Sequence, residues 1–472
     1  MQHYADHYIG GTWRPATGPD TIEVIDPATE QPLAAVPAGT RADVDAAVAA
    51  ARAAAPGWAA TTREERLAAL TRLRDGLVAH RAEIATTVTA ELGTPIGFAD
   101  AVQAGTPIAV ATAYLDVLAS YAFEEKVGNS TVYSEPAGVV AAVTPWNYPL
   151  HLIVAKVVPA LAAGCTVVLK PSEETPLVAR LFARIVDGAD LPPGVFNMVT
   201  GLGTVVGAAL ADHPGIDLVS FTGSTAVGRA IGESAGRGIK RVALELGGKS
   251  ANVVLPGADL ARAVNVNIAN VFANTGQTCT AWTRLLVHRD QYEEALAIAA
   301  SAAAKYTPGD PADPATRLGP LVSARQRERV RGYITGAVEG GARLVAGGPE
   351  QPEGLERGYY VRPTVLADVD PDSAAAQEEI FGPVLVVLPY RDEAHALEIA
   401  NGTEYGLAGA VWAADDETAA AFARRMDTGQ VDINGGRFNP LAPFGGYKNS
   451  GVGRELGRYG LEEFLQTKSL QF

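Results

Sequence analysis

From residue 139 onward, the chain alternates short apolar segments with segments of helical character. Val139 to Val143, Thr166 to Leu169 and Asp217 to Phe221 have the length and composition of buried strands. Helical segments separate them, so each strand is followed by a crossover long enough to place the next strand parallel to it. This alternation predicts an open, doubly wound parallel sheet, an α/β architecture that often binds nucleotides.

Two further features complete the predicted architecture. Residues 41–56 and 63–90 are rich in alanine and carry charges along one face, which predicts amphipathic helices that cover a lobe. A second α/β region begins after Gly247-Gly248. We therefore expect a cleft between two lobes at this point, with Glu245 on one wall and Cys279 on the other.

The size and charge of the chain exclude several classes of protein. Its 472 residues, 47% of them hydrophobic, can bury more than one core, so a single small binding module is excluded. A net charge of −15 argues against nucleic-acid or anionic-membrane partners, because an acidic surface repels phosphates. The longest apolar stretch, Val157 to Leu169, is shorter than the about 20 residues that span a bilayer.

The two cysteines bear on the compartment and on metal binding. Cys165 and Cys279 are too few and too far apart for a disulfide framework or a metal-binding cluster, so we expect no metal. The first residues lack the basic flank and apolar region of a secretory signal. We expect a cytoplasmic enzyme.

Three side chains supply the parts of a covalent acyl-transfer site. Cys279 closes the motif GQTC and offers a nucleophile, and Glu245 opens ELGGK and offers a base. Asn147 in TPWNYP offers an amide donor for an oxyanion. A lone cysteine is as often a buried, inert thiol, and Cys165 is interpreted in that way because nothing catalytic surrounds it.

In their order and intervals these three motifs resemble those of the NAD(P)-dependent aldehyde dehydrogenase superfamily, and the resemblance extends from end to end of the chain. It implies an aldehyde-dehydrogenase-like α/β fold, with a Rossmann-type NAD-binding domain in residues 1–118 and 139–247 and a catalytic domain in 248–454. It also implies a β-hairpin oligomerisation arm in residues 119–138 and 455–472. A homodimer or homotetramer is expected, and an exposed strand edge also favours pairing.

The resemblance implies NAD-dependent oxidation of an aldehyde to a carboxylic acid. The thiolate of Cys279 would add to the carbonyl to give a thiohemiacetal, and loss of hydride would leave a thioester. The Asn147 side chain and the Cys279 backbone N–H would donate to the oxyanion, and Glu245 would activate the hydrolytic water. Lys156 matches a family lysine on a proton path. The presence of Glu245 favours hydrolysis over transfer of the acyl group to coenzyme A.

Two other classes of function stay open at this point. One is a non-catalytic structural relative, and the other is a cysteine esterase or hydrolase without redox chemistry. The retention of Cys279, Glu245 and Asn147 argues against the structural protein. Formation of NADH with an aldehyde would distinguish a dehydrogenase from a hydrolase.

Two glycine-rich segments are candidates for the phosphates of the dinucleotide. The segment FTGSTAVG follows a strand and opens a helix, so the turn at Gly223 and Ser224 can present free N–H groups and the helix dipole to a pyrophosphate. These two residues also match the phosphate-contacting turn of the family. Residues 201–207 match the dinucleotide fingerprint less well, because the third glycine is displaced by one position.

A charged pair at the end of a predicted strand bears on the choice of cofactor. In the family, the lysine at Lys170 bonds a ribose hydroxyl and the glutamate at Glu173 holds the adenosine ribose diol. A carboxylate there repels a 2′-phosphate, which favours NAD and leaves NADP as a weaker alternative. The other positions matched to cofactor contacts are Trp146, Ser172, Glu379 and Phe381.

The substrate pocket is predicted from the positions that line the acyl tunnel of the family. In this chain they are Tyr148, His151, Ala155, Ala273 and Phe438. The two alanines leave room, and the two aromatic rings can stack on a substrate ring. We therefore expect a small-molecule aldehyde of medium size, apolar or aromatic, in preference to acetaldehyde. Arg437 is a candidate contact for a distal carboxylate if its side chain turns inward.

Overall fold

Two large sheets organise the chain, and the computed structural model describes all 472 residues. The first sheet has eight strands, in the spatial order Gly451–Val452, Arg241–Glu245, Leu218–Thr222, Val139–Val143, Thr166–Lys170, Phe196–Met198, Asp6–Ile9 and Thr12–Pro15. The strands from Arg241–Glu245 to Phe196–Met198 run parallel, and the flanking strands are antiparallel to their neighbours. The predicted doubly wound α/β sheet is present.

The second sheet belongs to the part of the chain after Gly247. Its seven strands follow the spatial order Arg343–Ala346, Thr364–Ala367, Val384–Tyr390, Arg284–His288, Ala251–Val254, Ala408–Trp412 and Gln430–Ile433. All neighbours are parallel except the first pair. The five strands between the two edges are almost entirely buried, as expected for a parallel sheet covered by helices on both faces.

Three small sheets complete the strands. One contains Gln2–His3, Gln31–Pro37 and Thr21–Asp26, and another pairs Tyr405–Gly406 with Tyr447–Lys448. The third contains Leu465–Gln471, Ser130–Pro136 and Glu124–Val127.

The helices cover both large sheets. The α-helices are Arg41–Ala59, Arg63–Ala79, Arg81–Leu92, Ile96–Phe98, Gly105–Ser120, Pro149–Ala163, Pro176–Gly188, Ala208–Asp212, Thr225–Arg237, Leu260–Phe272, Tyr292–Ala303, Ala324–Glu339, Ala374–Gln377, Glu393–Asn401, Asp416–Ala423 and Gly457–Glu462. Two π-helical turns span Ala99–Ala104 and Gly203–Gly207, and two 3₁₀ turns span Ala273–Gly276 and Arg289–Gln291.

The helix Pro149–Ala163 is the central support of the first lobe. Of its 15 residues only His151 is not buried, and the helix belongs to a hydrophobic cluster of 47 residues. The sequence predicted a start at His151, but the helix begins at Pro149, because proline has no N–H to satisfy and its fixed φ suits the first helical position. The helix ends at Gly164, which has a φ of 92°. Asn147 therefore lies immediately before a rigid element.

The order of the strands creates a switch point at the central strand, Val139–Val143. The chain continues from it to Thr166–Lys170 on one side and later returns to Leu218–Thr222 on the other. In such sheets ligands bind outside the carboxyl ends of the strands at the switch point. We therefore expect a ligand-binding site in the loops that follow these strands.

Two strand pairings bear on the predicted domains and arm. The strand Gly451–Val452, which lies within the predicted catalytic domain, extends the first sheet beside Glu245. In residues 455–472 only Leu465–Gln471 belongs to the arm sheet, where it pairs with Ser130–Pro136 of the same chain. The remaining boundaries, and pairing of the arm across a subunit interface, stay predictions.

One helical run, Ile96–Ser120, is long and apolar enough to cross a membrane, with a mean hydropathy of 1.2. In the fold, 56% of the most apolar 18-residue segment of this run is buried, and Val110, Tyr114 and Leu118 face the hydrophobic core. A core helix meets the same criteria, so the run is weak evidence for a membrane span. The expectation that no membrane is involved stays a prediction.

Candidate active site

The loops at the carboxyl edge of the first sheet carry most of the predicted site residues. Those at or just after the strand ends include Trp146, Asn147, Lys170, Gly223 and Glu245. The loop that carries Cys279 lies against this edge, because the Asn147 Nδ2 donates a hydrogen bond of 3.0 Å to the carbonyl oxygen of Gln277. The structure thus brings the predicted oxyanion donor next to the predicted nucleophile loop.

The nucleophile loop has a strained backbone. Asn274 and Thr275 have φ values of 49° and 57°, and Gly276 follows at 73°. For residues other than glycine such angles are costly, and they persist where the surroundings enforce them. Gly276 also packs against another loop so tightly that a Cβ would lie 2.1 Å from the carbonyl carbon of Gly382. The close packing and the unusual φ angles therefore fix the backbone conformation of the residues before Cys279.

The environment of Cys279 holds its thiol in the protonated form. Burial is the largest cause that raises the pKa of the Cys279 thiol to about 12, and the charges of Glu379 and Glu245 act in the same direction. The backbone N–H groups of Cys279 and Thr280 oppose this shift, because they favour the thiolate. The thiol retains some accessible surface, so a small molecule can approach it.

Burial also disfavours the charged form of Glu245. Its side chain is buried, and one carboxyl oxygen, Oε2, has no hydrogen-bond partner. Burial raises the pKa of Glu245 well above its usual range, and the nearby charge of Glu455 adds to this, while Lys156 opposes it. A carboxyl group with a raised pKa and a free oxygen is suited to proton transfer near neutral pH.

Lys156 lies beside this carboxyl but is paired with another one. Its ammonium forms a buried ion pair with Glu455, a residue that the sequence analysis did not identify. Leu456, which follows Glu455, has a φ of 68° and donates its N–H to the Tyr114 hydroxyl. The predicted proton-path lysine is thus anchored between the central helix and the C-terminal segment.

The predicted ribose contacts form one group. Lys170 donates a hydrogen bond of 2.6 Å to Glu173, whose other oxygen is 3.4 Å from the Gly203 N–H. Burial is the largest single influence and would raise the pKa of Glu173, but the charge and hydrogen bond of Lys170, together with backbone N–H donors, outweigh it and the pKa is lowered. Glu173 is therefore an anion near neutral pH. The weaker glycine-rich segment, 201–207, meets the same group and forms a π-helical turn.

At the predicted phosphate turn, the Gly223 N–H donates to the Glu245 carbonyl oxygen at 3.0 Å, so the donors for a phosphate are the N–H groups that follow it at the start of the helix. Ser224 caps the helix Thr225–Arg237 by accepting from the Val227 N–H, and the first N–H groups of a helix have no partner within it. Gly223 cannot carry a side chain, because a Cβ would lie 2.4 Å from the Phe221 ring. Amide donors at the turn and an anionic diol acceptor at Glu173 fit a dinucleotide without a 2′-phosphate.

The other predicted cofactor residues lie between the two sheets, with one exception. The rings of Trp146 and Phe381 meet edge to face at 5.3 Å. Glu379 accepts a hydrogen bond of 3.0 Å from the Gly248 N–H, and burial raises its pKa to about 7. Ser172 is buried and accepts from the Glu174 N–H within its own turn, which leaves its O–H as a donor.

Aromatic rings surround the predicted substrate residues. Tyr148 is 6.5 Å from Phe98, a residue that the sequence analysis missed, and His151 is 6.3 Å from the half-exposed ring of Phe438. The Tyr148 hydroxyl lies 2.8 Å from that of Thr278. Burial lowers the pKa of His151 to about 4, so its imidazole is neutral near neutral pH.

The two predicted alanines occupy different environments. Ala273 retains some accessible surface beside the nucleophile loop. Ala155 has none and packs in the main hydrophobic cluster, so it can affect the pocket only through its neighbours. Arg437 is exposed, and its loop does not turn it inward in this structure.

Comparisons with known proteins agree with this geometry. A model of the aldehyde dehydrogenase family matches residues 13–470. The chain belongs to this family. Over 471 residues it is 46% identical to a 3-succinoylsemialdehyde-pyridine dehydrogenase of a Pseudomonas species, with coverage of 100% of this chain and 99% of that protein.

Two solved aldehyde dehydrogenases are similar in structure. One is a mutant of aldehyde dehydrogenase C from Pseudomonas syringae in complex with NAD+ and octanal, with a TM-score of 0.98, 46% identity, and coverage of 99% of this chain and 96% of that one. The other is an aldehyde dehydrogenase of Mycobacterium tuberculosis in complex with NAD+, with a TM-score of 0.97, 42% identity, and coverage of 100% and 98%. The predictions of the family, its fold and an aldehyde dehydrogenase activity are confirmed.

The tight packing of the nucleophile loop generates a prediction. We expect Gly276→Ala to displace the loop and to remove most of the activity, because the added Cβ has no space beside Gly382. Gly341→Ala is the matched control, because Gly341 also has a positive φ, of 98°, but nothing lies within 4 Å of its Cβ position. Rates of NADH formation and of Cys279 alkylation, with thermal midpoints, measure the effect. Equal losses of activity in the two variants would contradict the proposed constraint.

Proposed function

We propose that this aldehyde dehydrogenase oxidises its substrate through a covalent intermediate on Cys279, with Asn147 as the oxyanion donor and Glu245 as the base for hydrolysis. The observation that carries this proposal is the hydrogen bond between Asn147 and the nucleophile loop. An amide nitrogen has two hydrogens, so Asn147 keeps one donor for a substrate oxygen when Gln277 takes the other. The raised pKa of Glu245 and its free oxygen support the role of base.

NAD is the cofactor of the proposed reaction. The relatives from Pseudomonas syringae and Mycobacterium tuberculosis were solved with NAD+, and the anionic Glu173 here suits a ribose diol. We assign the ribose to Lys170 and Glu173 and the pyrophosphate to the turn at Gly223 and Ser224. NAD, when bound, supplies a cationic nicotinamide ring that accepts the hydride.

The chain's own residues carry the remaining steps. The Cys279 thiol gives up its proton to solvent, its sulfur bonds to the carbonyl carbon, and the π electron pair of the C=O bond moves to the oxygen. Asn147 and the Cys279 N–H donate to that oxygen. When the C=O bond re-forms, hydride leaves and a thioester remains on the sulfur. Water then loses a proton to Glu245 and adds to the thioester, and the Cys279 thiolate departs from the carboxylic acid.

Burial disfavours charge on both of these groups, the Cys279 thiol and the Glu245 carboxyl, before substrate arrives. It raises the pKa of the Cys279 thiol to about 12, so the thiol holds its proton near neutral pH, and it raises the pKa of the Glu245 carboxyl above the usual carboxyl range. The attacking thiolate therefore forms only when donors and positive charge surround it. We propose that this arrangement limits side reactions of the thiol in the free enzyme.

We further propose a medium-sized apolar or aromatic aldehyde as substrate. The accessible side chains are the aromatic rings of Phe98, Tyr148 and Phe438, with a neutral His151. The relative named for 3-succinoylsemialdehyde-pyridine and the one solved with octanal support this class. The exposed position of Arg437 gives no support to recognition of a distal carboxylate.

Assembly and location remain proposals of the same kind. We propose a homodimer or homotetramer that uses the arm, because the edge strand Glu124–Val127 is fully exposed along its length. We also propose a cytoplasmic location, on the cysteine usage described above.

The first prediction separates acylation from hydrolysis. Glu245→Gln should allow one burst of NADH per active site and then a nearly stopped steady state, because the amide cannot take a proton from water. In the parent the steady-state rate should rise with pH over a range above that of an ordinary carboxyl group, because burial raises the pKa of Glu245 and only the ionised carboxylate accepts a proton from water. Stopped-flow absorbance of NADH measures both phases. Cys279→Ala is the control and should show no burst; absence of a burst in folded Glu245→Gln would assign Glu245 to thiol activation as well.

The second prediction concerns cofactor choice. The parent should have a higher kcat/KM with NAD than with NADP, and Glu173→Gln should narrow the ratio, because it removes the charge that repels a 2′-phosphate. Glu174→Gln is the matched control, because Glu174 is adjacent and partly buried but pairs with Arg325. Steady-state kinetics with both cofactors test this. Equal use of NAD and NADP by the parent would disprove the role of Glu173.

The third prediction concerns substrate size. The parent should have a higher kcat/KM for octanal and benzaldehyde than for acetaldehyde, because the rings that line the pocket contact only the larger substrates. Ala273→Phe should penalise the larger aldehydes by about 1–3 kcal/mol through overpacking. Acetaldehyde serves as the internal control and should be little affected. A parent that prefers acetaldehyde would overturn the assignment of the pocket.

A further inference from the structure

A buried polar network lies behind the oxyanion donor, on the side away from substrate. The backbone carbonyl oxygen of Asn147 accepts a hydrogen bond of 2.8 Å from the Asn274 Nδ2 and one of 2.9 Å from the Gln103 Nε2. The Thr94 hydroxyl donates to the Asn274 Oδ1 at 2.7 Å. All four residues are buried, with at most 3% of their surface exposed.

The direction of these hydrogen bonds follows from their chemistry. A carbonyl oxygen only accepts, so both amide nitrogens must face Asn147. The oxygen of Asn274 must then face away, toward the Thr94 hydroxyl, which can donate to it. The arrangement is thus internally consistent and leaves Asn274 a single orientation.

Two members of the network are in energetically unfavourable states. Gln103 lies in the π-helical turn Ala99–Ala104, and its Oε1 is buried without a hydrogen-bond partner. Asn274 has a left-handed backbone. Unsatisfied buried acceptors, π-helical turns and left-handed residues are each unfavourable, and they concentrate at functional sites. Here they share one neighbour, the carbonyl group of Asn147.

We propose that Gln103 and Asn274, with Thr94 behind Asn274, are positioning residues that hold Asn147 in register with the Cys279 loop. The two amides fix the backbone end of Asn147, and the Gln277 carbonyl fixes its side-chain end. Asn274 belongs to the nucleophile loop, so its hydrogen bond to Asn147 also fixes the position of that loop relative to the oxyanion donor. The inference rests on the proposed role of Asn147 and extends it to residues that touch neither substrate nor cofactor.

The test is a double-mutant cycle with Asn147→Ala. The network variants are Gln103→Met, which keeps the length of the side chain, and Thr94→Val, which keeps its shape. Asn274→Gly is a third, because glycine retains the left-handed backbone without the amide. The control is Thr112→Val, which removes a similar hydroxyl that donates to the Ile108 carbonyl in a nearby helix.

We expect Gln103→Met and Asn274→Gly to slow the NADH burst about tenfold or more, because a small displacement of a catalytic group has effects of this size. The affinity for NAD and the thermal midpoint should change little, and Thr94→Val should show the same effect in weaker form. In the Asn147→Ala background the same substitutions should have no further effect on the burst rate. Thr112→Val should match the parent.

Two results would overturn the inference about the network while leaving the role of Asn147 intact. One is a burst rate equal to that of the parent in Gln103→Met and Asn274→Gly. The other is an effect of equal size with and without Asn147, accompanied by a lower thermal midpoint, which would indicate a general structural role. A parental burst rate in Asn147→Ala alone would instead overturn the oxyanion assignment, and with it the role of the network.

Discussion

The hydrogen bond from Asn147 to the Gln277 carbonyl joins the two halves of the active site. Asn147 belongs to the switch point of the first sheet, whereas Gln277 belongs to the loop that leads into the second. The two sheets have separate hydrophobic clusters, but the proposed chemistry needs an amide hydrogen and a sulfur at the same carbonyl group. The buried helix Pro149–Ala163 fixes the position of Asn147, and the strained loop fixes that of Gln277. The distance between the two residues is therefore well defined.

Exclusion of water sets the chemical character of the site. The same burial that brings the thiol and the base together removes the solvent that would stabilise their charges. In such surroundings a few oriented N–H groups have more influence than they would in water. Burial thus disfavours charge on both groups in the free enzyme, and its reactivity depends on what enters the cleft.

The sequence predicted the parts of the fold and site that local patterns determine. The alternation of strands and helices indicated the parallel sheet, and the resemblance of three motifs to those of the family selected Cys279, Glu245 and Asn147, whose roles stay predictions. Gln103 and Asn274 escaped notice because they meet Asn147 across 44 and 127 positions of the chain, where no pattern relates them. Likewise, a tunnel residue inferred from spacing, Ala155, proved fully buried, because neighbouring side chains decide which face of a helix remains accessible.

The far end of the chain has an architectural consequence. Gly451–Val452 supplies the edge strand beside Glu245, and Glu455 supplies the partner of Lys156, although both come late in the sequence. A ribosome releases these residues only after every strand of the second sheet has been made, so the first sheet must wait with an open edge until then. The two lobes are therefore not sequential units of synthesis. A nascent chain completes the surroundings of Glu245 only after Glu455 has emerged.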